Sequence, residues 1–380
     1  MVGLSWGCEP SDAARRPPAA AAIAADAAPD RPGADGPRAR KVFVTASSRC
    51  GECHVKMFDE WSGSAHAQAA SSPVYRAAVA SAKDATCDRC HTPLAAVVAR
   101  DAVAMEGVTC DVCHTLRDPV PAPGGGHFRL AVDDMVKYGP RCGLADHYFH
   151  RMGCSPEHRQ AAICGSCHWW EPGGLPVITE YADWRAGPAA STPCQTCHMP
   201  LEEASLAVGS PARTGVPHHG LLGLAADLRR RALTLEVSSR DDATAGTTVT
   251  VTLTNSKAGH FVPAGLPERR ITVRVTVGGE VQTRSLGRHL VDGSGAEAPF
   301  WRATKVASDT RIAPRGSWRE TFTFRARDAA VVEVLHRGLS EAVARELGVA
   351  VAEELLARAE VKAGKTSIVR PPPPGERPPS

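Results

Sequence analysis

The sequence predicts an α+β protein in which a helical, loop-rich region is followed by a small antiparallel β-sandwich and a C-terminal helix. Three observations predict this order. Cysteine and histidine are concentrated between Lys41 and Gly223, among short helical pieces and loops. Beyond Ala232, apolar residues alternate with polar ones over several short runs, which is typical of half-buried strands. After Ser340, apolar residues recur every four positions, as they do on one face of a helix.

Length and charge narrow the class of protein. The chain has 380 residues, which is enough for two domains. Its 44 basic and 41 acidic residues give a formal net charge of +3, so the charge favours neither nucleic acid nor an acidic membrane surface as a partner. No run of residues approaches the roughly 18 consecutive apolar positions of a membrane-spanning helix.

Residues 1–40 are predicted to form a flexible tether. From residue 9 onward they are rich in Ala, Pro, Arg and Asp and show no apolar periodicity. The first residues lack the charged region and the apolar core of a complete secretory signal. We expect that the true start lies upstream and that Cys8 follows a truncated signal, where it could serve as a lipid anchor to a membrane.

The strands are predicted in the second half of the chain. Residues 226–330 are assigned to the β-sandwich because the apolar members of each run share one face: Leu233, Leu235, Val237, Val249, Val251, Leu253, Ile271, Val273, Val275, Val277, Trp318, Phe322 and Phe324. Residues 331–365 are expected to be helical, since Val343, Leu347, Val351 and Leu355 are spaced by four. The proline-rich residues 366–380 are predicted to be disordered.

Five copies of the motif Cys-x-x-Cys-His dominate residues 41–225. The paired cysteines are Cys50 and Cys53, Cys87 and Cys90, Cys110 and Cys113, Cys164 and Cys167, and Cys194 and Cys197; the histidines that follow them are His54, His91, His114, His168 and His198. Two thiols at this spacing add across the two vinyl groups of a heme, and the adjacent histidine binds the iron. Zinc clips are the alternative, but zinc would take the motifs in pairs, and five is odd. The sequence therefore predicts five covalently attached c-type hemes and, since such heme is attached outside the cytoplasm, a periplasmic or outer-surface protein.

Three cysteines lie outside these motifs: Cys8, Cys142 and Cys154. The last two are twelve positions apart and could form a disulfide in an oxidising compartment. Two buried thiols are the alternative, because spacing alone does not reveal geometry.

Ten further histidines are candidates for the second axial ligand of each heme: His66, His127, His147, His150, His158, His218, His219, His260, His289 and His336. A heme ligated by two histidines suits electron transfer, whereas a heme with an open sixth position can bind a substrate. Ten histidines are enough to supply a second ligand to five irons. Their number alone does not show which of them are ligands, so the surrounding sequence of each candidate has to be considered.

Several motifs resemble those of cytochrome c-554-type multiheme proteins, whose superfamily includes the multiheme nitrite reductases and hydroxylamine oxidoreductase. The run CGECHVKMFDEWSGSAHAQA, which begins at Cys50, resembles the first heme motif of that family and its Trp-x-x-Ser-x-His-Ala element. In the family the histidine of this element is a distal ligand, which implies the same role for His66. The stretch from Cys87 to His114 resembles the family's close pair of stacked hemes, and CQTCHMP from Cys194 resembles its last heme motif.

The resemblance implies further distal ligands. Histidines after the last motif commonly return as ligands, which implies His218 or His219, with His219 slightly favoured. Family members carry Gly-Pro and then a histidine before the fourth motif, which implies His147 or His150 here.

The segment NSKAGHFVPAG, which begins at Asn255, resembles an element of the β module that follows such heme domains. Its His260 either reaches a heme or is a structural turn residue, and the resemblance leaves both open. His127 and His158 are weaker candidates for ligands.

Two departures from the family weigh against catalysis. All five motifs end in histidine, whereas multiheme nitrite reductases typically have lysine at the active heme, and none of the four tyrosines suits the crosslink of hydroxylamine oxidoreductases. The predicted function is therefore electron transfer through five hemes, with a quinol-oxidising complex or a terminal reductase as the redox partner.

Two alternatives to an electron carrier stay open. One is an oxidoreductase that converts a nitrogen or sulfur oxyanion at an open heme, with Arg117, Lys137 and Arg141 as basic residues in the right segment. The other is a cell-surface scaffold whose hemes are only structural. Four tryptophans either pack near porphyrins or fill an ordinary core: Trp61, Trp169, Trp170 and Trp184.

Overall fold

A computed structural model describes residues 42–132, 135–222, 226–242, 244 and 246–370. The tether predicted for residues 1–40, including Cys8, lies outside the described residues, as do residues 371–380 of the predicted tail. None of the helices in the described ranges has the length and apolar character needed to cross a membrane. Helices, strands and small antiparallel sheets are all present, as expected for the α+β class.

Residues 42–222, the motif region, contain short helices connected by loops and 3-10 turns. The helices are α1 (Ser47–Gly51), α2 (Val55–Ser62), α3 (Pro73–Ala82), α4 (Asp88–His91), α5 (Cys110–Thr115), α6 (Ala162–Gly165), α7 (Glu180–Ala186) and α8 (Cys194–His198). Polar side chains begin two of them: the hydroxyl of Ser72 accepts from the Tyr75 N–H before α3, and that of Thr109 accepts from the Val112 N–H before α5. Five of the eight helices begin within or immediately before a heme motif.

Three two-stranded sheets complete the motif region. Two are antiparallel, β1 (Leu116–Val120) with β2 (His127–Leu130) and β5 (Leu201–Ser205) with β6 (Ala212–Pro217), and one is parallel, β3 (Val136–Gly139) with β4 (Arg151–Cys154). The apolar core of this region is small and centres on Leu94, Val112, Leu116, Leu130 and Val132, with Ala104. Apolar packing therefore holds only part of the motif region together.

The disulfide between Cys142 and Cys154 is formed, and its Cα atoms are 4.8 Å apart. It connects the end of β4 to the loop that follows β3. Of the two possibilities that the spacing left open, the structure therefore shows the bridge rather than two free thiols.

Residues 226–370 form the sandwich region. Its elements are α9 (Ala226–Ala232), β7 (Leu233–Asp242), β8 (Gly246–Asn255), β9 (Arg270–Val277), β10 (Glu280–Leu286), β11 (Arg288–Val291), β12 (Lys305–Asp309), β13 (Ser317–Phe324), β14 (Ala330–Arg337), α10 (Glu341–Leu347), β15 (Glu353–Val361) and β16 (Thr366–Val369). One sheet has the order β13-β8-β7-β16 and the other β10-β9-β14-β15, while β11 pairs with β12. Both four-stranded sheets are antiparallel and share one core of buried valine, leucine and phenylalanine side chains.

The alternation of apolar and polar residues seen in the sequence matches the burial of side chains in this core. In β9, Ile271, Val273, Val275 and Val277 are at most 1% exposed, and the residues between them are half-buried. Because successive side chains of a strand point to opposite faces, this pattern places one face of each sheet inside the sandwich.

The C-terminal helix predicted for residues 331–365 is corrected by the structure. Only Glu341–Leu347 is helical, and the helix ends at Gly348, whose φ is +64°. Strands β14 and β15 flank it and pair with each other in the sandwich. Residues 366–369, assigned in sequence to the disordered tail, pair with β7. A four-residue spacing over so few turns does not exclude a strand whose partners lie elsewhere in the chain.

Buried ion pairs join the sandwich region to the motif region. Arg311 lies 3.1 Å from Asp183 of α7 and 3.0 Å from Asp309, and its side chain is only 9% exposed. Arg288 lies 3.1 Å from Asp309 and donates to the carbonyl of Pro176 at 2.7 Å. The carboxylates and guanidinium groups thus satisfy one another across the boundary, as buried charges require.

We predict that Arg311→Ala destabilises the heme-loaded protein by about 3 kcal/mol, because it leaves buried carboxylates without their partner. Arg302→Ala is the matched control, since Arg302 pairs with Glu346 at 2.6 Å but is 51% exposed; it should cost at most about 1 kcal/mol. Guanidinium unfolding followed by circular dichroism measures both. Equal costs for the two variants would contradict the structural role of Arg311.

Candidate heme centre

Each Cys-x-x-Cys-His motif lies on a short helix or helical turn, which brings its three side chains to one side. Residues three and four positions apart are neighbours on a helix surface, so the first cysteine, the second cysteine and the histidine project together. The motif at Cys110 spans α5, and the motif at Cys194 spans α8. All ten motif cysteines are free of disulfides.

One continuous cavity of about 4100 Å³ runs through the protein, and all ten motif cysteines and all five motif histidines line it. A pocket for a drug-sized molecule typically has about 300–1,000 Å³. The cavity therefore has room for several large cofactors that occupy neighbouring positions. Among the described residues, no group of three or more histidine, cysteine or acidic side chains is placed to hold a metal ion.

Cysteines of different motifs contact each other. The thiol of Cys50 contacts that of Cys110, and the thiol of Cys90 contacts that of Cys167. The thiol of Cys164 contacts that of Cys194. The first motif is thereby next to the third, and the fourth motif is next to both the second and the fifth.

Four of the five motif histidines face a second histidine across the cavity. The ring centroids are 6.3 Å apart for His54 and His150, 6.3 Å for His114 and His219, 6.2 Å for His168 and His66, and 6.3 Å for His198 and His260. Two imidazoles bonded to opposite sides of one metal ion, with bonds of about 2 Å, have centroids about 6 Å apart. The residues present therefore fit four hemes with two histidine ligands each.

Backbone carbonyl groups orient the imidazole rings. The Nδ1–H of His54 donates to the carbonyl of Leu206 at 2.6 Å, and that of His114 donates to Tyr138 at 2.6 Å. On the opposite side, the same hydrogen bond is made by His219 to Pro217 at 2.8 Å and by His260 to Phe261 at 3.0 Å. A proton fixed on Nδ1 leaves the Nε2 lone pair free to bind a metal.

Burial keeps several of these rings neutral. Desolvation, aided by neighbouring histidines, lowers the pKa of His66, His198 and His219 to about 4 each. A neutral imidazole has the free lone pair that iron requires, so the electrostatics of the cavity agree with its geometry.

His91 differs from the other four motif histidines. None of the other histidines, all of which lie in described segments, has its ring near 6 Å from that of His91. Instead the ring of Tyr75 stacks on His91 with centroids 4.1 Å apart. His91 donates from Nδ1 to the carbonyl of Ala69 at 2.8 Å, and the Tyr75 hydroxyl donates to Asp88 at 3.1 Å. A heme at this motif would have one histidine ligand.

The structure separates the paired candidates left by the sequence. It places His150 and His219 opposite motif histidines, but His147 packs its ring on Tyr148, 4.2 Å away. His218 accepts from the Gly220 N–H at 2.9 Å and does not line the cavity. The spacing in the chain could not separate these neighbours, because the turn that pairs His147 with His150 decides which ring faces inward.

The weaker candidates have other surroundings. His158 stacks beside His114 with centroids 5.5 Å apart, but its Nε2 is 3.0 Å from the carbonyl of Cys113. His127 is exposed on β2. His289 lies on β11 in the sandwich region, while His336 lines the cavity from β14.

The three basic residues considered for oxyanion binding all make structural contacts. Arg117 pairs with Glu157 at 2.8 Å, Lys137 pairs with Asp111 at 2.6 Å, and Arg141 donates to the carbonyl of Gly215 at 2.8 Å. These contacts explain the positions of the three basic side chains without any bound substrate.

Some lining residues have no signal in the sequence. Trp61, Trp170 and Trp184 line the cavity as expected, whereas Trp169 does not. Trp301 and Arg269 also line it, although both belong to the sandwich region, where no local motif marks them. Only the folding of that region against the motif region brings them to the cavity.

Comparisons with known proteins agree with this geometry. Residues 49–115 match the family model described as cytochrome c554 and c-prime. No curated protein is similar enough to the chain to be matched. Among solved structures, a penta-heme cytochrome c552 from Thermochromatium tepidum has a TM-score of 0.68 at 22% identity, over 83% of this chain and 98% of that one. The resemblance predicted from the motifs is thereby confirmed: the motif region matches the cytochrome c554 family model, and the chain shares its fold with a penta-heme cytochrome c552.

Proposed function

We propose that this protein is an extracytoplasmic electron carrier with five covalently attached c-type hemes. One observation carries the proposal: the five motifs line a single cavity, and four of their histidines face a second histidine at the spacing of a shared iron. Iron ligated by two histidines has no open position for a substrate and suits electron transfer.

The chain's own residues hold and orient each cofactor. The ten motif cysteines would form the thioether bonds, and the motif histidines would bind the irons. The second histidine would be His150 at the first motif, His219 at the third, His66 at the fourth and His260 at the fifth. The heme supplies reversible one-electron chemistry at iron, while the protein fixes its position and excludes water from it.

The contacts between motifs define a route for electrons. The first motif touches the third through Cys50 and Cys110, and Cys113 of the third lies close enough to Cys164 to interact with it electrostatically. The fourth motif then touches the second and the fifth. The heme at His168 is therefore a junction with three neighbours, and the heme at His54 is at one end.

A second function is favoured by the surroundings of His91. Its heme is the one for which the structure provides no opposing histidine, so the sixth position there is open to a small ligand. The alternative function is a redox reaction of a nitrogen or sulfur oxyanion at this heme. The electron carrier remains the main proposal, because the other four sites are closed.

Location and partners follow from the cofactor. Attachment of c-type heme takes place outside the cytoplasm, and the disulfide between Cys142 and Cys154 fits an oxidising compartment. We propose a periplasmic or outer-surface protein that exchanges electrons with a quinol-oxidising complex or a terminal reductase.

We predict that the intact protein has the mass of the polypeptide plus five hemes. Replacing both cysteines of any one motif by alanine should remove one heme, since both thioether bonds are lost. Mass spectrometry under denaturing conditions counts the hemes. The matched control replaces Cys142 and Cys154 and should retain all five; fewer than five in the unmodified protein would contradict the proposal.

We predict that carbon monoxide changes the spectrum of the fully reduced protein by an amount equal to about one heme. Only the His91 heme lacks a histidine in the sixth position, and carbon monoxide binds where that position is open. The variant His150→Ala should raise the change to about two hemes, whereas His147→Ala, three residues away, should leave it at one.

The alternative outcomes are informative. No change in the unmodified protein would mean that a further ligand closes the His91 heme, and the second function would be dropped. If the carbon monoxide signal increased to about two hemes in His147→Ala but stayed at one in His150→Ala, His147 and not His150 would be the second ligand of the first heme.

A further inference from the structure

Three basic side chains of the sandwich region line the cavity together. Arg229 lies on α9, Arg269 lies just before β9, and His336 lies on β14. Arg229 and His336 approach the same carboxylate of Glu354, at 2.6 and 3.9 Å. Arg269 and Arg229 both lie near enough to His336 to oppose its protonation, which together with burial lowers its pKa to about 4. Three separate elements thus bring two guanidinium groups and an imidazole to one part of the wall.

Arg269 is the least compensated member of this cluster. Its guanidinium donates to the carbonyl of Ala264 at 3.0 Å, and no carboxylate in the described segments lies within 4 Å of it. Burial, together with the charge of Arg229, lowers the pKa of Arg269, while the charges of Glu180 and Glu268 act in the opposite direction. A buried cation without a paired anion is costly.

Two acidic neighbours are each engaged through one oxygen. Glu354 Oε2 pairs with Arg229, and Glu180 Oε1 accepts from the Gly265 N–H, while the other oxygen of each is buried without a hydrogen-bond partner. Gly265 also makes room for Arg269, because a Cβ at this position would overlap the guanidinium group. The arrangement holds the Arg269 side chain at the cavity wall without a direct ion pair to a carboxylate of the described segments.

This cluster is close to the site of the fifth heme. His260 lies in the loop that ends at Gly265, and its ring faces His198 at 6.3 Å. Glu180 interacts electrostatically with both His198 and Arg269. The basic cluster and the axial pair are therefore neighbours on the same stretch of cavity.

We propose that Arg269, with Arg229 and His336, forms the propionate-binding pocket of the heme attached to Cys194 and Cys197. This inference rests on the proposed function, since it needs a heme at that motif. The carboxylates of a heme would accept from the guanidinium of Arg269, which has no carboxylate of the described segments in direct contact, and arginine binds carboxylate through paired N–H donors. The sandwich region then both ligates this heme and neutralises its charge.

A change in reduction potential follows from the pocket. Reduction adds an electron to the heme, so a nearby cation favours the reduced state. Arg269→Gln removes that cation and should lower the potential of this one heme. Arg269→Lys keeps the charge and should leave the potential close to that of the unmodified protein.

The experiment is a spectroelectrochemical titration of the full heme-loaded chain. The variant His260→Met identifies the transition of the fifth heme, because a methionine ligand raises the potential. Arg269→Gln should move this same transition in the opposite direction and leave the others in place. Arg230→Gln is the matched control, since Arg230 lies next to Arg229 on α9, pairs with Asp227 at 3.3 Å and does not line the cavity.

The outcomes separate the pocket from the proposed function. Fewer than five hemes by mass in the unmodified protein would overturn the proposed function. If the unmodified protein has five hemes but Arg269→Gln does not shift the potential of the fifth heme, the pocket alone is overturned. An equal shift of that potential in Arg230→Gln would also overturn it. If Arg269→Gln fails to fold, Arg229→Gln provides the same comparison. A lower potential of the fifth heme in that variant would support the pocket, and an unchanged potential would contradict it.

Discussion

The architecture of the motif region depends on pairs of imidazole rings held 6.2 or 6.3 Å apart. Each pair joins residues that are distant in the sequence, such as His54 with His150 or His66 with His168. Such contacts restrict long loops that have little apolar core of their own, and ordering those loops costs conformational entropy. In the proposed heme-loaded protein, iron and thioether bonds would offset that cost, as a hydrophobic core does in other proteins.

The sandwich region has the opposite character, with a conventional core and regular sheets. Its importance for the heme centre comes from one loop, in which His260 faces His198. Asn255, which is fully buried, donates to the carbonyls of His260 at 2.9 Å and Ile312 at 3.1 Å. The end of β8 thus fixes the loop that carries His260, and the buried pair of Arg311 and Asp183 holds the sandwich region against the motif region. The ion pairs between the regions in this sense support the proposed site of the fifth heme.

What the sequence could predict depended on how local the signal was. The heme motifs are local, because one helical turn brings two thiols and an imidazole together, and the alternation of the strands is local too. The segment around Leu355 was predicted as helix from its four-residue spacing, whereas its pairing with β14 is a tertiary contact that leaves no local signal. The choice of His150 over His147 depended on which ring a turn directs inward. Arg269 had no local signal at all, since only the packing of two regions brings it to the cavity.

The position of the His91 heme in the network matters as much as its ligation. Its motif touches the fourth motif through Cys90 and Cys167, and no contact of its thiols continues to the first or fifth motif. In the proposed arrangement it is therefore a branch and not a link between the two ends. Electrons would pass from the first heme to the fifth through the hemes at His114 and His168 whether or not a ligand occupies the branch. An open iron at this place is compatible with electron transfer through the rest of the protein, so the two proposed functions do not exclude each other.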